Sequence, residues 1–245
     1  MAKLAIIGGT GLTSLPDLEI TARELHVSRY GEPSAPLTRG NLDGMEILFL
    51  PRHGAGHTIP PHQVNYRANI SVLKDAGVDK IIAINAVGGI AAEMPPPSLV
   101  IPDQIIDYTW SREHTFFEDS EDVVHIDFTH PYCEELRQAL INAAQQAKLD
   151  VHTTATYAAT QGPRLETAAE INRLENDGCH IVGMTGMPEA ALAREAGLCY
   201  ASVCVVANMA AGRAEGEITL SEIEKQLSVG IANVKSLLVK LITSM

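Results

Sequence analysis

Leu4-Ala5-Ile6-Ile7-Gly8-Gly9-Thr10-Gly11 sets four aliphatic residues against a glycine-rich turn. A short apolar run bounded by a turn marks a strand buried on both faces. The same pattern returns along the chain. Residues 46–50 form an apolar run stopped by Pro51, and residues 80–85 form another, stopped by Gly88-Gly89. Residues 181–184 and 200–207 are further apolar strands, 99–107 is extended but interrupted by Pro102, and 151–160 is β-branched and alternating. Helical patterns separate them: 62–76 ending at Gly77, 131–148 opening on a proline, 167–176, 189–196 ending at Gly197, and a long closing helix over 220–242. Strands alternating with helices imply an α/β fold, one domain over 1–245, with a parallel or mixed sheet covered on both faces. In such folds ligands sit beyond the carboxyl ends of strands. The polar clusters of this chain lie just there.

Composition narrows the function. With 46% apolar and 20% charged residues in 245, the chain is an ordinary globular one, which excludes disorder, collagen and coiled coil. Thirty acidic against eighteen basic residues give a net charge of −12. Such a surface repels DNA phosphates and anionic lipid, so neither nucleic acid nor membrane is an expected partner. A local basic pocket can still hold one small anion. No run reaches the roughly 18 apolar residues of a membrane helix, and the opening residues lack a signal-peptide pattern, so a cytoplasmic protein is expected. Cys133, Cys179, Cys199 and Cys204 form no CxxC pair and have small or apolar neighbours, so they are expected to be buried free thiols. His53, His57, His62 and His114 lack HExxH spacing, and no metal is expected.

Six clusters could carry chemistry. Gly8 to Gly11 offers backbone amides and the Thr10 hydroxyl to a phosphate, but it lacks the third glycine of a dinucleotide site and the Lys of a P-loop, and a tight turn explains it equally well. Arg52 and His53 follow a strand, where a guanidinium suits phosphate oxygens and the imidazole could donate a second hydrogen bond; a solvated surface loop is the plain alternative. Asn85-Ala86-Val87-Gly88-Gly89 could present amides to an oxyanion or be only a glycine turn. Glu166, after the Gly162-Pro163 turn, could accept an N–H from a ligand or simply cap a helix. Met184 and Thr185 could pack under a sugar and donate to an anion, or pack in the core. Asn208, at the end of an apolar strand, offers a donor and an acceptor suited to a purine edge, or terminates the strand as a turn residue.

Together, GGTGL at 8–12, RHGAGHTIPPHQVNYRANI at 52–70, NAVGGI at 85–90, QGPRLETAAE at 161–170 and GMTGMPEAALAREAGLCYAS at 183–202 resemble the trimeric nucleoside phosphorylases. That is the family of methylthioadenosine phosphorylase and purine nucleoside phosphorylase, and the resemblance spans nearly the whole chain. It implies a three-layer α/β/α domain with a central mixed sheet, a homotrimer, phosphate as co-substrate, and no other cofactor. It implies Thr10, Arg52, His53, Ala86 and Thr185 as the phosphate site, with Asn85 beside Ala86, and Met184 under the ribose. His125 is similar to a residue that reaches a neighbouring subunit's ribose pocket.

The resemblance also bears on the base. Adenine-specific members carry Thr-Asp-Tyr-Asp where this chain has Ala207-Asn208-Met209-Ala210, and a small hydroxyl residue where it has Glu166. The 6-oxopurine members pair a Glu with an Asn. A carboxylate accepts the N1 proton of hypoxanthine but faces the N1 lone pair of adenine. Asn208 can donate to O6 and accept from N7–H as the base leaves. A polar site built for one edge discriminates by roughly 10⁴-fold. At the other end of the nucleoside, Leu220 and Ile223 share a helical face and look like the apolar pair that receives a methylthio group, although a packing stripe would use the same residues. A methyl-sized apolar group is worth about 1 kcal/mol there. The expected reaction is therefore phosphorolysis of S-methyl-5′-thioinosine to hypoxanthine and 5-methylthioribose 1-phosphate in purine salvage. Asn208, Glu166 and His53 would be catalytic, and Met209 and Ala210 would join the base site. An inosine/guanosine phosphorylase and a methylthioadenosine phosphorylase are the alternatives.

Overall fold

A computed structural model describes residues 3–9, 19–42, 44–118 and 123–244. Its elements, in order, are β1 (Lys3–Gly8), β2 (Glu19–Glu24), β3 (Leu37–Leu42), β4 (Met45–Pro51), α1 (Tyr66–Asp75), β5 (Val78–Gly89), β6 (Leu99–Val100), β7 (Gln104–Asp107), α2 (Glu134–Gln146), β8 (Val151–His152), β9 (Thr156–Ala159), α3 (Ala168–Asn176), β10 (Ile181–Gly183), α4 (Gly186–Glu195), β11 (Cys199–Met209) and α5 (Leu220–Thr243). The strands form one mixed sheet ordered β2-β3-β4-β1-β5-β10-β9-β7, with β11 on β5 and β6, and β8 on β6.

The opening octapeptide shows why the sheet is covered twice. Side chains alternate along a strand, so Ala5 and Ile7 enter a core with Ile70 and Leu73 of α1 and Ala190 and Leu192 of α4. Leu4 and Ile6 enter the opposite core with Leu136 and Leu140 of α2 and Val234 and Leu238 of α5. Two helical layers thus enclose the sheet, the expected α/β/α arrangement. Close approach is built in: a Cβ on Gly230 of α5 would stand 2.2 Å from Val205 Cγ1 of β11.

β5 creates the opening for a site. It runs parallel to β1 as far as Ala83, and β10 joins antiparallel at Gly88 and Gly89. Along the other edge, β11 accompanies β5 from Lys80 to Gly89. Between Ala83 and Gly88 the β1-side edge therefore has no strand partner among the described residues.

Two expectations are corrected. Cys133 and Cys199 form a disulfide, and only Cys179 and Cys204 are free thiols. The Cys133 N–H donates to Tyr200 O, which brings the start of α2 against the start of β11 across 66 residues. The antiparallel β2–β3 pair has no counterpart in the expected pattern, because β2 is exposed along most of its length and lacks an apolar alternation.

Candidate active site

A cavity of about 620 Å³ opens where β5 loses its partner. Arg52, His53, Ala86, Glu166, Met184, Thr185, Asn208, Ala210 and Ile223 all line it, with Gly9 beside them. Thr10 lies outside the described residues. Asn85, Met209 and Leu220 do not line this cavity.

Arg52 follows β4 and is 1% exposed. Its Nη1 donates to Ile84 O at 3.0 Å, a carbonyl on the stretch of β5 that β1 has left. Its Nε and Nη2 donate to the two carboxylate oxygens of Glu189 at 2.7 and 2.8 Å. Burial opposes the charge, yet the Glu189 carboxylate outweighs it and holds the guanidinium above its ordinary pKa. Five N–H groups less three leave two for a ligand. Tyr200 donates to the same carboxylate at 2.9 Å. Glu189 and Tyr200 were not foreseen, because a Glu in a helix's first turn reads as a complement to the dipole.

His53 corrects the expected donor role. Its Nδ1 lies 2.8 Å from Ile59 O, and a carbonyl can only accept, so the proton sits on Nδ1. Burial, then Arg52, push its pKa down to about 4. A neutral ring with the proton on Nδ1 leaves Nε2 as an acceptor. Thr185 Oγ1 is 3.5 Å from Asn85 Oδ1, and Asn85 Nδ2 donates to Ser202 Oγ at 2.9 Å. Asn85 therefore sits beneath Thr185, off the cavity wall.

Glu166 and Asn208 are both freed from the duties that could have explained them. Thr167 and Glu170 form the capping box of α3, so Glu166 has no capping role. Thr160 Oγ1 donates to Glu166 Oε1 at 2.6 Å. Asn208 follows a shift of register between β11 and β5, which pairs it with Gly88. Such a bulge re-aims side chains, and Ala207 and Asn208, though adjacent, both line the cavity. Asn208 Nδ2 donates to Met209 O at 2.8 Å, leaving its second N–H and its carbonyl. Gly88 leaves room for this approach: a Cβ would lie 3.2 Å from Val182 Cγ1, a tight contact, and 3.4 Å from Asn208 Nδ2. Met184 seats its sulfur against Gly162, where a Cβ would lie 2.4 Å from Sδ. Met209 lines an adjoining cavity of about 580 Å³ that shares Glu166 and Asn208.

The expected apolar pair is half right in placement. Ile223 lines the cavity, but Leu220 is 77% exposed, and Ile218 lines the wall instead. Thr219 is the N-cap of α5, accepting from the Glu222 N–H. Ile218 and Ile223 therefore hold the two positions of a hydrophobic staple around a Thr-x-x-Glu start. That signature, visible in the sequence, would have found Ile218. His57, with its ring centroid 4.7 Å from that of His53, also lines the cavity. His125 is exposed and lines neither cavity. Among the described residues no group of three or more His, Cys, Asp or Glu is placed to hold a metal, and no helix is long and apolar enough to cross a membrane.

Known proteins resemble this chain in sequence and fold. A Pseudomonas syringae pv. tomato protein named "Probable S-methyl-5'-thioinosine phosphorylase" is 51% identical over 245 residues, covering 100% of both chains. The 6-oxopurine nucleoside phosphorylase of Pyrococcus furiosus is 48% identical, over 91% of this chain and 85% of that one. The solved structure of methylthioadenosine phosphorylase from Schistosoma mansoni with adenine superposes with a TM-score of 0.94 at 34% identity, covering 99% of this chain and 91% of the other. The model of the phosphorylase superfamily matches residues 3–243. A mixed sheet opened at β5, and this likeness along its whole length, make the chain a member of the phosphorylase superfamily.

Proposed function

We propose that the protein cleaves S-methyl-5′-thioinosine with phosphate, releasing hypoxanthine and 5-methylthioribose 1-phosphate. The observation that carries this reading is that Glu166 and Asn208 line the same cavity as Ile218 and Ile223. The carboxylate selects the N1 proton of an oxopurine, and the two isoleucines favour a methylthio group over a hydroxyl. Relatives named for both methylthioinosine and 6-oxopurine nucleosides agree with the base choice. The adenine-bound structural neighbour shares the fold at lower identity.

Phosphate is the co-substrate, held by the two remaining N–H groups of Arg52, the Thr185 hydroxyl and the amides near Gly9 and Ala86. Because His53 is neutral and accepts at Nε2, it accepts a hydrogen bond from the P–OH and turns the anionic oxygens toward C1′. The C1′–N9 bond lengthens, the sugar acquires oxocarbenium character, and the phosphate beneath it stabilises that charge. The bond electrons move into the purine. N7 takes up a proton from solvent as the base leaves; Asn208 accepts the hydrogen bond from that N7–H and donates to O6, while Glu166 accepts from N1–H. Phosphate oxygen then closes on C1′. No covalent enzyme intermediate is required.

The Asn208→Asp, Glu166→Ser double variant is expected to shift preference toward methylthioadenosine by at least about 100-fold in kcat/KM, since each edge leaves the other's partners unpaired. Product analysis with inosine, guanosine and both methylthio nucleosides, with and without phosphate, reads this directly. Equal kcat/KM for inosine and methylthioinosine would instead favour the plain 6-oxopurine phosphorylase. We also propose a homotrimer in which His125 serves a neighbour's pocket. Trp110 and Leu165, 67% and 44% exposed in the single chain, are apolar surface for such a contact, and a monomeric sedimentation mass would count against it. A cytoplasmic location suits small metabolites as substrates. The Cys133–Cys199 disulfide runs against that location, since thiols are kept reduced there; fractionation with thiol trapping decides between them.

A further inference from the structure

Arg112 is 8% exposed, lies outside any helix or strand, and has no place in the chemistry above. Its guanidinium reaches two loops at once. Nη1 donates to Met184 O at 2.8 Å and Met187 O at 2.6 Å, on either side of Thr185. Nη2 donates to Gln161 O at 2.8 Å and Thr160 O at 3.2 Å, and Nε to Gln161 Oε1 at 3.2 Å. A weaker contact joins Nη1 to Tyr66 Oη at 3.4 Å. Every acceptor is a neutral oxygen. Arg52, by contrast, is matched by the Glu189 carboxylate.

We propose that Arg112 is a positioning residue that fixes the distance between the base loop and the sugar–phosphate loop. This rests on the reading that Glu166 and Asn208 take the base while Thr185 takes phosphate. The first loop, after β9, carries Thr160, whose hydroxyl holds Glu166. The second, after β10, carries Met184 and Thr185. The backbone tie between them ends where the Thr160 N–H donates to Gly183 O at 2.8 Å, and beyond it a rigid planar fork with five donors serves as the cross-link. Backbone carbonyls pulled onto one cation cannot drift apart without leaving it unsatisfied inside the protein. The reacting bond joins a base held by one loop to a sugar and phosphate held by the other. An error in their separation therefore affects the transition state far more than either fragment's binding.

The test separates whole from parts. Arg112→Met is measured by titration with hypoxanthine alone, by titration with inorganic phosphate alone, and by steady-state phosphorolysis of methylthioinosine. The expected result is a fall in kcat of roughly 100-fold, with each fragment's affinity changed by no more than about 3-fold. Arg112→Lys should fail similarly despite keeping the charge, because one ammonium cannot span both loops. Should Arg112→Met be insoluble, Gln161→Leu, which removes the oxygen that accepts from Arg112 Nε and from the Trp110 N–H, gives the same split at smaller size. Fragment affinities that fall in step with kcat, or an unchanged kcat, would overturn the proposal. If the Asn208→Asp, Glu166→Ser double variant binds hypoxanthine as tightly as wild type does, the base-site reading fails instead.

Discussion

At the scale of single residues, the phosphate side of the cavity is not a basic patch. Arg52 is matched by Glu189, and His53 is neutral, so donors and acceptors are arranged there with little net charge. That fits a chain of net charge −12 better than a cluster of free cations would. It also gives Glu189 a measurable role. In Glu189→Gln the guanidinium stays buried without its counter-charge, and breaking such a pair costs about 3–5 kcal/mol. The expected outcome is a fall in Tm in phosphate-free buffer, partly recovered by added phosphate, with a larger phosphate-induced rise than wild type shows. If phosphate raises the Tm of both proteins equally, Arg52 does not face the anion. Arg52, His53 and Thr185 were legible in the sequence because each is polar and follows an apolar strand. Glu189 was not, because its partner lies 137 residues away, and no local pattern distinguishes a carboxylate that completes a helix dipole from one that orients an arginine.

At the scale of elements, termini decide what faces the cavity. α3 begins with a capping box that absorbs Thr167 and Glu170, leaving Glu166 outside it. α5 begins at Thr219, which turns Leu220 outward and puts Ile218 and Ile223 on the wall. Helical spacing alone pairs Leu220 with Ile223, and the cap is what puts Ile218 in place of Leu220 while keeping Ile223. Ile218→Ser is therefore expected to lower kcat/KM for methylthioinosine by about 5- to 10-fold relative to inosine, the worth of one methyl-sized apolar contact, whereas Leu220→Ser should leave the ratio unchanged. Competition assays with both nucleosides measure it, and a ratio shifted by Leu220→Ser alone would reverse the assignment. Strands were legible where both faces are apolar, as in β1, β4 and β11. β2 and β3 were not, because a partly exposed hairpin carries no continuous apolar run. β5 was read too short, since Gly88 and Gly89 look like a stop but in fact admit β10 and Asn208 at close range.

At the scale of the whole molecule, the buried imidazole of His53 links the site to global stability. Its ordinary pKa of 6.5 falls to about 4 on folding, through burial first and Arg52 second. Between those values the unfolded chain takes up a proton that the folded chain refuses. Stability is therefore complete above pH 6.5 and lost as pH falls toward 4. The full effect is about 3 kcal/mol, of which roughly 2 kcal/mol is gone by pH 5. Glu24 and Glu170, both held near 2 by arginine partners, weaken the fold only below their ordinary 4.5. The window between pH 7 and 5 is thus governed by His53. Urea midpoints at pH 7 and pH 5 should fall steeply in wild type and much less in His53→Asn, where the amide can still donate to Ile59 O but nothing titrates. Phosphate bound to the neutral ring should deepen the wild-type slope, because protonating Nε2 would remove the acceptor of the P–OH hydrogen bond. Equal slopes in the two proteins would mean that His53 is solvated in solution, and the acceptor role given to it in phosphorolysis would fall with that result.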